Sequence, residues 1–203
     1  MTGSNSPLGL FGGRFDPVHR AHIKIAQAVA DQLKLDEVRW IVTGSPVHKP
    51  TVASASHRLR MVELALADLG DPRMVVDDRE VIAAAAGKTN YTADTIASFQ
   101  AEFPGRPLVW ILGEDQLEQF KTWSRWKWIA KNVTLAVCRR PGVIYPKSLK
   151  SFPHGAGKLD WVELEPSNIS STEIRRSLQK NEPKPSQIQD SVSRYIRLNR
   201  LYQ

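Results

Sequence analysis

The chain has 203 residues, 41% hydrophobic and 24% charged, with no low-complexity tract, which excludes disordered and fibrous classes and leaves a globular protein with a real core. No apolar run is long enough to span a membrane, the first residues lack the basic flank and apolar stretch of a secretory signal, and the lone Cys138 leaves no internal disulfide. A cytoplasmic protein without a membrane partner is therefore expected, and its net charge of +7 suits a polyanion or a phosphorylated small molecule.

In chain order, "LGLFGG" (8–13) reads as a buried strand ending in glycines, followed by a helix over about 19–33 in which Ile25, Ala26, Val29, Ala30 and Leu33 recur at helical spacing. A second strand, "VRWIVTG" (38–44), precedes a helix with the stripe Leu59, Val62, Leu66 and Leu69, opened by Ser56 as cap and closed by Gly70. Strands are expected at 74–76, 107–113, 133–140 and 161–165, with a helix over 92–103 between the first two of these. Two helices, over about 171–179 and 186–198, close the chain. Strands alternating with helices predict an α/β fold, a Rossmann-like doubly wound parallel sheet with helices on both faces and a C-terminal helical segment. A single domain over 1–203 is expected, with its core in about 8–166 and its closing helices in about 171–203. In such a sheet ligands bind beyond the carboxyl ends of the strands, which puts 12–22, 44–49, 113–116 and 139–142 along one rim. The Gly- and Pro-rich stretch 139–160 reads as a surface excursion.

Charge is uneven: residues 121–150 hold eight Lys and Arg, no Asp or Glu, and three tryptophans, Trp123, Trp126 and Trp128. That block suits either a base-stacking RNA face or a solvated basic surface with one or two of the tryptophans in the core.

The stretch "LFGGRFDPVHRAH" (10–22) joins a strand, a glycine turn and a helix N-terminus. Outward-pointing N–H groups and the helix dipole make such a junction a phosphate site. His19 and His22, three apart, share a face of the first helical turn, where their N–H groups could meet phosphate oxygens and, if protonated, offset charge on a departing pyrophosphate. A metal site made of Asp16, His19 and His22, or two structural histidines, would use the same residues. Neither a GxGxxG turn nor a P-loop is present. A second element, "NISSTEIRRSL" (168–178), pairs Ser170 with Glu173 as a capping box and so starts a helix near Ser171. Arg175 and Arg176 follow where the dipole favours acids, which suggests an anion at the helix tip.

"GGRFDPVHRAH" and "ISSTEIRR" resemble the two signatures, GG[ST]FDPxHxGH and ISSTxxR, of the nucleotidyltransferase superfamily that contains the nicotinate mononucleotide adenylyltransferases. The resemblance runs along nearly the whole chain, through "SPVHKP" (45–50), "NYTADTI" (90–96), "ILGEDQLEQFKTW" (111–123), "AVCRRPG" (136–142) and "VSRYIRLNRLY" (192–202). It implies transfer of AMP from ATP to nicotinate mononucleotide, with Mg²⁺ on the triphosphate, no separate protein metal site and no specific nucleic-acid partner. It further implies that His19, His22 and Arg175 are catalytic. Gly12, Gly13, Phe15, Gly113, Asp115, Ile169, Ser171 and Thr172 would bind ATP, with Asp115 on ribose hydroxyls. Lys49, Tyr91, Thr92, Trp123 and Arg139 would bind the mononucleotide. Trp123 would stack on the pyridine ring, Tyr91 and Thr92 would flank its carboxylate, and Lys49, where relatives often carry Arg, and Arg139 would meet phosphate. His48 and Arg140 are weaker candidates, and His57 and His154 read as structural or exposed.

Two positions depart from the pattern. Arg14 stands where Ser or Thr is usual, offering a further phosphate contact or none, and Ala21 replaces a glycine, which favours the helix but narrows the approach to it. Rival readings are a relative with another phosphorylated acceptor, such as a pantetheine phosphate adenylyltransferase or a cytidylyltransferase, and a non-catalytic nucleotide- or RNA-binding protein. "NYTADTI" and "KTW" resemble the pyridine-nucleotide branch.

Overall fold

Among the described residues, six short runs rich in Leu, Val, Ile and Trp form strands, and buried residues on both faces of the inner ones require helices on both sides. The structure, a computed structural model, describes residues 6–45, 51–139, 158–165, 167–180, 182 and 185–203. The strands are β1 (Leu8–Gly13), β2 (Glu37–Val42), β3 (Met74–Asp77), β4 (Leu108–Gly113), β5 (Thr134–Arg139) and β6 (Leu159–Glu163). They form one sheet in the order β3-β2-β1-β4-β5-β6. Pairing is parallel between β1 and β4, β4 and β5, and β5 and β6, with Phe11 opposite Ile111 and Gly113 opposite Cys138. The strand order reverses at β1 and β4, the topological switch point at which doubly wound sheets bind ligands. The Rossmann-like α/β architecture expected from the alternating pattern is therefore present.

The helices are α1 (Arg20–Gln32), α2 (Ala55–Leu69), α3 (Arg79–Ala85), α4 (Thr92–Glu102), α5 (Glu114–Glu118), α6 (Trp126–Asn132), α7 (Ser171–Gln179) and α8 (Asp190–Leu198). Two of them, α2 and α8, and the strand β6 differ from expectation. The cap of α2 is Ser54, whose hydroxyl accepts from the His57 amide at 3.3 Å; Ser56 already lies inside the helix. Gly70 closes α2 as expected, in the left-handed region at φ 65°, its N–H bonded to Leu66 O. α8 begins at Asp190, since residues 185–187 form a separate 3₁₀ turn in place of the first turn of one long helix. The strand expected at 161–165 lies at 159–163, where Val162 is buried and Trp161 points outward at 41% exposure on the edge strand. α3, α5 and α6, of five to seven residues, are too short to show a helical period in sequence.

The chain divides into two compact units, one of Met1–Phe11, Ala26–Val38 and Tyr91–Pro166, the other of Gly12–Ile25, Arg39–Asn90 and Ser167–Gln203. In the first, Leu8, Leu10, Leu112, Ala136 and Val137 form the sheet core, and Arg106 bonds Ser6 O, Glu37 and Asp36. In the second, α8 buries Val192 and Ile196, and its Ser191 hydroxyl bonds Leu64 O of α2. His57 of α2 meets the Tyr195 hydroxyl at 2.8 Å, a structural role as expected. No helix among the described residues is long and apolar enough to cross a membrane.

Candidate active site

The glycine turn, the first turn of α1 and the tip of α7 all lie in the second unit, and there they are joined by hydrogen bonds. β1 ends at Gly13, whose carbonyl accepts from the Thr43 amide at 2.9 Å. A Cβ on Gly13 would lie 2.8 Å from Cζ of Phe15, so only glycine leaves room for that ring. Phe15 itself turns back at φ 49° and is 2% exposed, its ring edge-on to His22 and tilted against Trp40. Its side chain is thus a packing group beneath the turn. The Asp16–Pro17 peptide is cis.

The histidines stack with centroids 3.6 Å apart, and the His19 backbone N–H donates to His22 Nδ1 at 3.2 Å. An amide can only donate, so Nδ1 is the acceptor and the neutral ring carries its proton on Nε2. Burial, with a smaller contribution from the neighbouring His19, holds the His22 pKa well below the ordinary histidine range. The neutral form of His22, with its proton on Nε2, is thereby favoured over the imidazolium in the chain by itself. Ala21 is buried, so its methyl packs against protein.

α7 starts with Ser170, which accepts from Glu173 N at 3.2 Å, the cap its sequence calls for. From this helix the Ser171 hydroxyl donates to Pro17 O at 3.0 Å. Arg175 Nη1 donates to Asp16 O at 2.6 Å and Nη2 to the Thr172 hydroxyl at 3.4 Å. The two signature segments, more than 150 positions apart, are thereby tied by two direct bonds.

Three residues that support this turn escaped sequence reasoning in their roles. Asp16, 3% exposed, accepts from Val52 N at 2.7 Å, from Ala53 N at 3.2 Å and from the Tyr202 hydroxyl at 2.7 Å. Arg58 is fully buried and donates to three carbonyls, those of Ala53, Arg14 and Gly44. Burial lowers its pKa, while Asp16 and Tyr202 act in the opposite direction. Burial and the bond to Asp16 push the Tyr202 hydroxyl far above the usual tyrosine range. For the metal alternative, the Asp16 carboxylate and Nδ1 of His22 already accept from backbone amides, and no cluster of three such ligands occurs among the described residues.

Gly113, Asp115, Tyr91, Thr92, Trp123 and Arg139 lie in the first unit, and Ile169, whose N–H donates to the Ser167 hydroxyl at 3.4 Å, lies in the second. Gly113 caps α5, and its N–H donates to Gln116 Oε1 at 3.1 Å, leaving Asp115 exposed in the first turn. Tyr91, 42% exposed, is the cap residue of α4, which Thr92 begins. Trp123, half-buried, meets Trp110 edge-on and Phe120 at a tilt. None of Trp123, Trp126 and Trp128 is fully buried, contrary to the expectation that one or two are core; Trp40 and Trp110 fill that role. Arg125, the cap residue of α6, lies over the Trp128 ring and Lys127 over the Trp126 ring, as cations do at a surface. Arg139 is paired with Glu163 at 3.3 Å and lies over Trp161. His48, Lys49, Arg140 and His154 fall outside the described residues.

The cytidylyltransferase-like family profile matches residues 10–177. Probable nicotinate-nucleotide adenylyltransferases of Neisseria meningitidis serogroup B and of Chromobacterium violaceum are each 38% identical to this chain. The alignments cover 97% and 98% of this chain and 98% and 99% of those proteins. Among solved structures, the Plasmodium falciparum nicotinic acid mononucleotide adenylyltransferase complexed with NaAD matches with a TM-score of 0.81 at 19% identity over 97% of both chains. A putative nicotinate-nucleotide adenylyltransferase from Vibrio parahaemolyticus matches with a TM-score of 0.68 at 16% identity, over 93% of this chain and 97% of that one. These structural likenesses bear on the fold.

Proposed function

The chain belongs to the cytidylyltransferase-like family and, within it, to the nicotinate-nucleotide adenylyltransferases, and we propose that it transfers the adenylyl group of ATP to nicotinate mononucleotide, giving nicotinate adenine dinucleotide and pyrophosphate. The observation that carries the site assignment is the joining of the FDP turn to the α7 tip by Arg175 and Ser171, which gathers two helix N-termini and a guanidinium around one place for a polyphosphate.

In this reading a phosphate oxygen of the mononucleotide attacks the α-phosphorus of ATP in line, and the bond to the β-phosphate oxygen breaks as pyrophosphate departs. The substrate is ATP carrying Mg²⁺. The N–H groups of Gly12, Gly13 and Phe15 approach the phosphates. His19 and the Nε2–H of His22 donate to oxygens that gain charge in the transition state. Ile169, Ser171, Thr172 and Arg175 hold the β and γ groups, and Gly113 and Asp115 receive the nucleoside.

The mononucleotide ring stacks on Trp123, with Tyr91 and Thr92 beside its carboxylate and Lys49 and Arg139 on its phosphate. Arg139 must leave Glu163 to do so. Both side chains of that pair are more than a third exposed, so the exchange costs no more than about 1 kcal/mol. Displacement is direct, with no covalent enzyme intermediate. Incubation with MgATP alone is expected to leave the intact protein mass unchanged, and addition of nicotinate mononucleotide to yield nicotinate adenine dinucleotide by mass spectrometry. A protein heavier by one AMP would replace direct displacement with a two-step transfer, and absence of the dinucleotide would refute the assignment.

A further inference from the structure

We propose that Tyr202, next to the last residue of the chain, is a positioning residue that acts through the Asp16 carboxylate to hold the phosphate-binding turn in its working shape; this rests on the reading of that turn as the ATP-phosphate site. Tyr202 lies 186 positions from Asp16, yet its hydroxyl reaches Oδ1 at 2.7 Å and the residue is only 4% exposed. After α8 the chain is bent back by two non-glycine residues in the left-handed region, Arg200 at φ 51° and Tyr202 at φ 67°. L residues hold such angles when the surrounding structure requires it. Here they aim a phenol inward at a buried carboxylate.

Packing alone would be served by phenylalanine, so the hydroxyl needs its own explanation. A carboxylate in a dry setting is held by its donors, and Asp16 has three named ones, the Val52 and Ala53 amides and the Tyr202 hydroxyl. The same residue's carbonyl receives Arg175 Nη1 at 2.6 Å. The carboxylate and the carbonyl of Asp16 hang from one α-carbon, so the donors that fix the carboxylate restrict the position of that carbon and, with it, the carbonyl on which Arg175 docks. Tyr202 thereby influences the guanidinium at the phosphate site without touching a ligand. Arg58 supports the same turn from the other side through Arg14 O and Ala53 O. α8 is anchored independently, by buried Val192 and Ile196 and by Ser191 on Leu64 O, so loss of one hydroxyl leaves the C-terminal helix in place.

The test is Tyr202→Phe in the full chain, read by steady-state kinetics and by amide hydrogen exchange over 12–22 and 51–54. The expected result is a fall in kcat of about fivefold or more, from weakening one charge-assisted hydrogen bond, with the KM for nicotinate mononucleotide within about twofold. Exchange at Val52 and Ala53 should become faster in the ligand-free protein. Because Tyr202 acts through Asp16, the double variant Asp16→Asn/Tyr202→Phe should be no slower than Asp16→Asn alone. Wild-type kcat and exchange in Tyr202→Phe, or losses that multiply in the double variant, would overturn the proposal. Should Tyr202→Phe not fold, Asp16→Asn is read by the same two measurements, and unchanged exchange over 51–54 with unchanged kcat overturns it. The exchange readout needs no turnover, so a chain inactive toward nicotinate mononucleotide would refute the substrate assignment and leave this inference to be judged on exchange.

Discussion

The turn that gathers His19, His22 and Arg175 and the segment that presents Tyr91, Trp123 and Arg139 are built on opposite principles. In the turn, the supporting groups are buried and bonded to protein: Asp16 and Arg58 each contact three partners, and Phe15 is packed against His22 and Trp40. The aromatic segment is open, with Tyr91 at 42% exposure, Asp115 exposed, Trp123 half-buried and Arg139 in a loose surface pair. On the proposed reading of the site, the difference is a division of labour. Phosphate transfer needs donors held in place ahead of the charge that develops, since reorganising them during the reaction would raise the barrier. Choice of acceptor needs surfaces that close on one ring and reject others, and these can be ordered by the ligand itself.

The contrast predicts different kinetic signatures at the two places. The largest effect is expected at the turn. His19→Ala and His22→Ala should each lower kcat by about 10²-fold while the protein stays folded, as removal of a preorganised donor does elsewhere. Unchanged turnover in either would return that histidine to a structural role. Next comes Trp123→Ala, which should raise the KM for nicotinate mononucleotide by roughly tenfold, in keeping with about 1–3 kcal/mol for ring stacking, and leave the KM for ATP alone. A change confined to ATP would move Trp123 to the other substrate.

The smallest effect is a pH dependence of stability. His22 binds its proton less readily when folded than when unfolded, where its pKa is about 6.5. Below that pH the unfolded chain takes up the proton first, so the contribution of His22 is full above about pH 6.5 and is lost as the pH falls through the folded value. Denaturant melts between neutral pH and the acid side should show this slope, and His22→Gln should flatten it. A slope identical in the variant would remove His22 as its source.

What was legible in the sequence is what neighbouring residues decide among themselves. The glycine turn, the Ser170 cap of α7 and the Gly70 stop of α2 are local chemistry, and the alternation of strands and longer helices follows from hydrophobic period. What was not legible depends on partners far away in the chain. Asp16 looks like a metal candidate until Val52, 36 positions on, and Tyr202, 186 positions on, occupy it. Arg58 sits in a helix that reads as half-solvated, and its burial is explained only by carbonyls of Arg14 and Gly44. The choice of Ser54 over Ser56 as cap is set by where Asp16 ends the preceding loop at Val52 and Ala53, a tertiary restraint on the helix start.

The central claim is that a preorganised phosphate site serves an open acceptor site built for a pyridine nucleotide. Pyrophosphate release with ATP and Mg²⁺ tests it most directly, measured in parallel with nicotinate mononucleotide, nicotinamide mononucleotide and phosphopantetheine as acceptors. The account predicts the highest kcat/KM with nicotinate mononucleotide and none above background with phosphopantetheine. Turnover with phosphopantetheine alone, or with no acceptor in the panel, would contradict it.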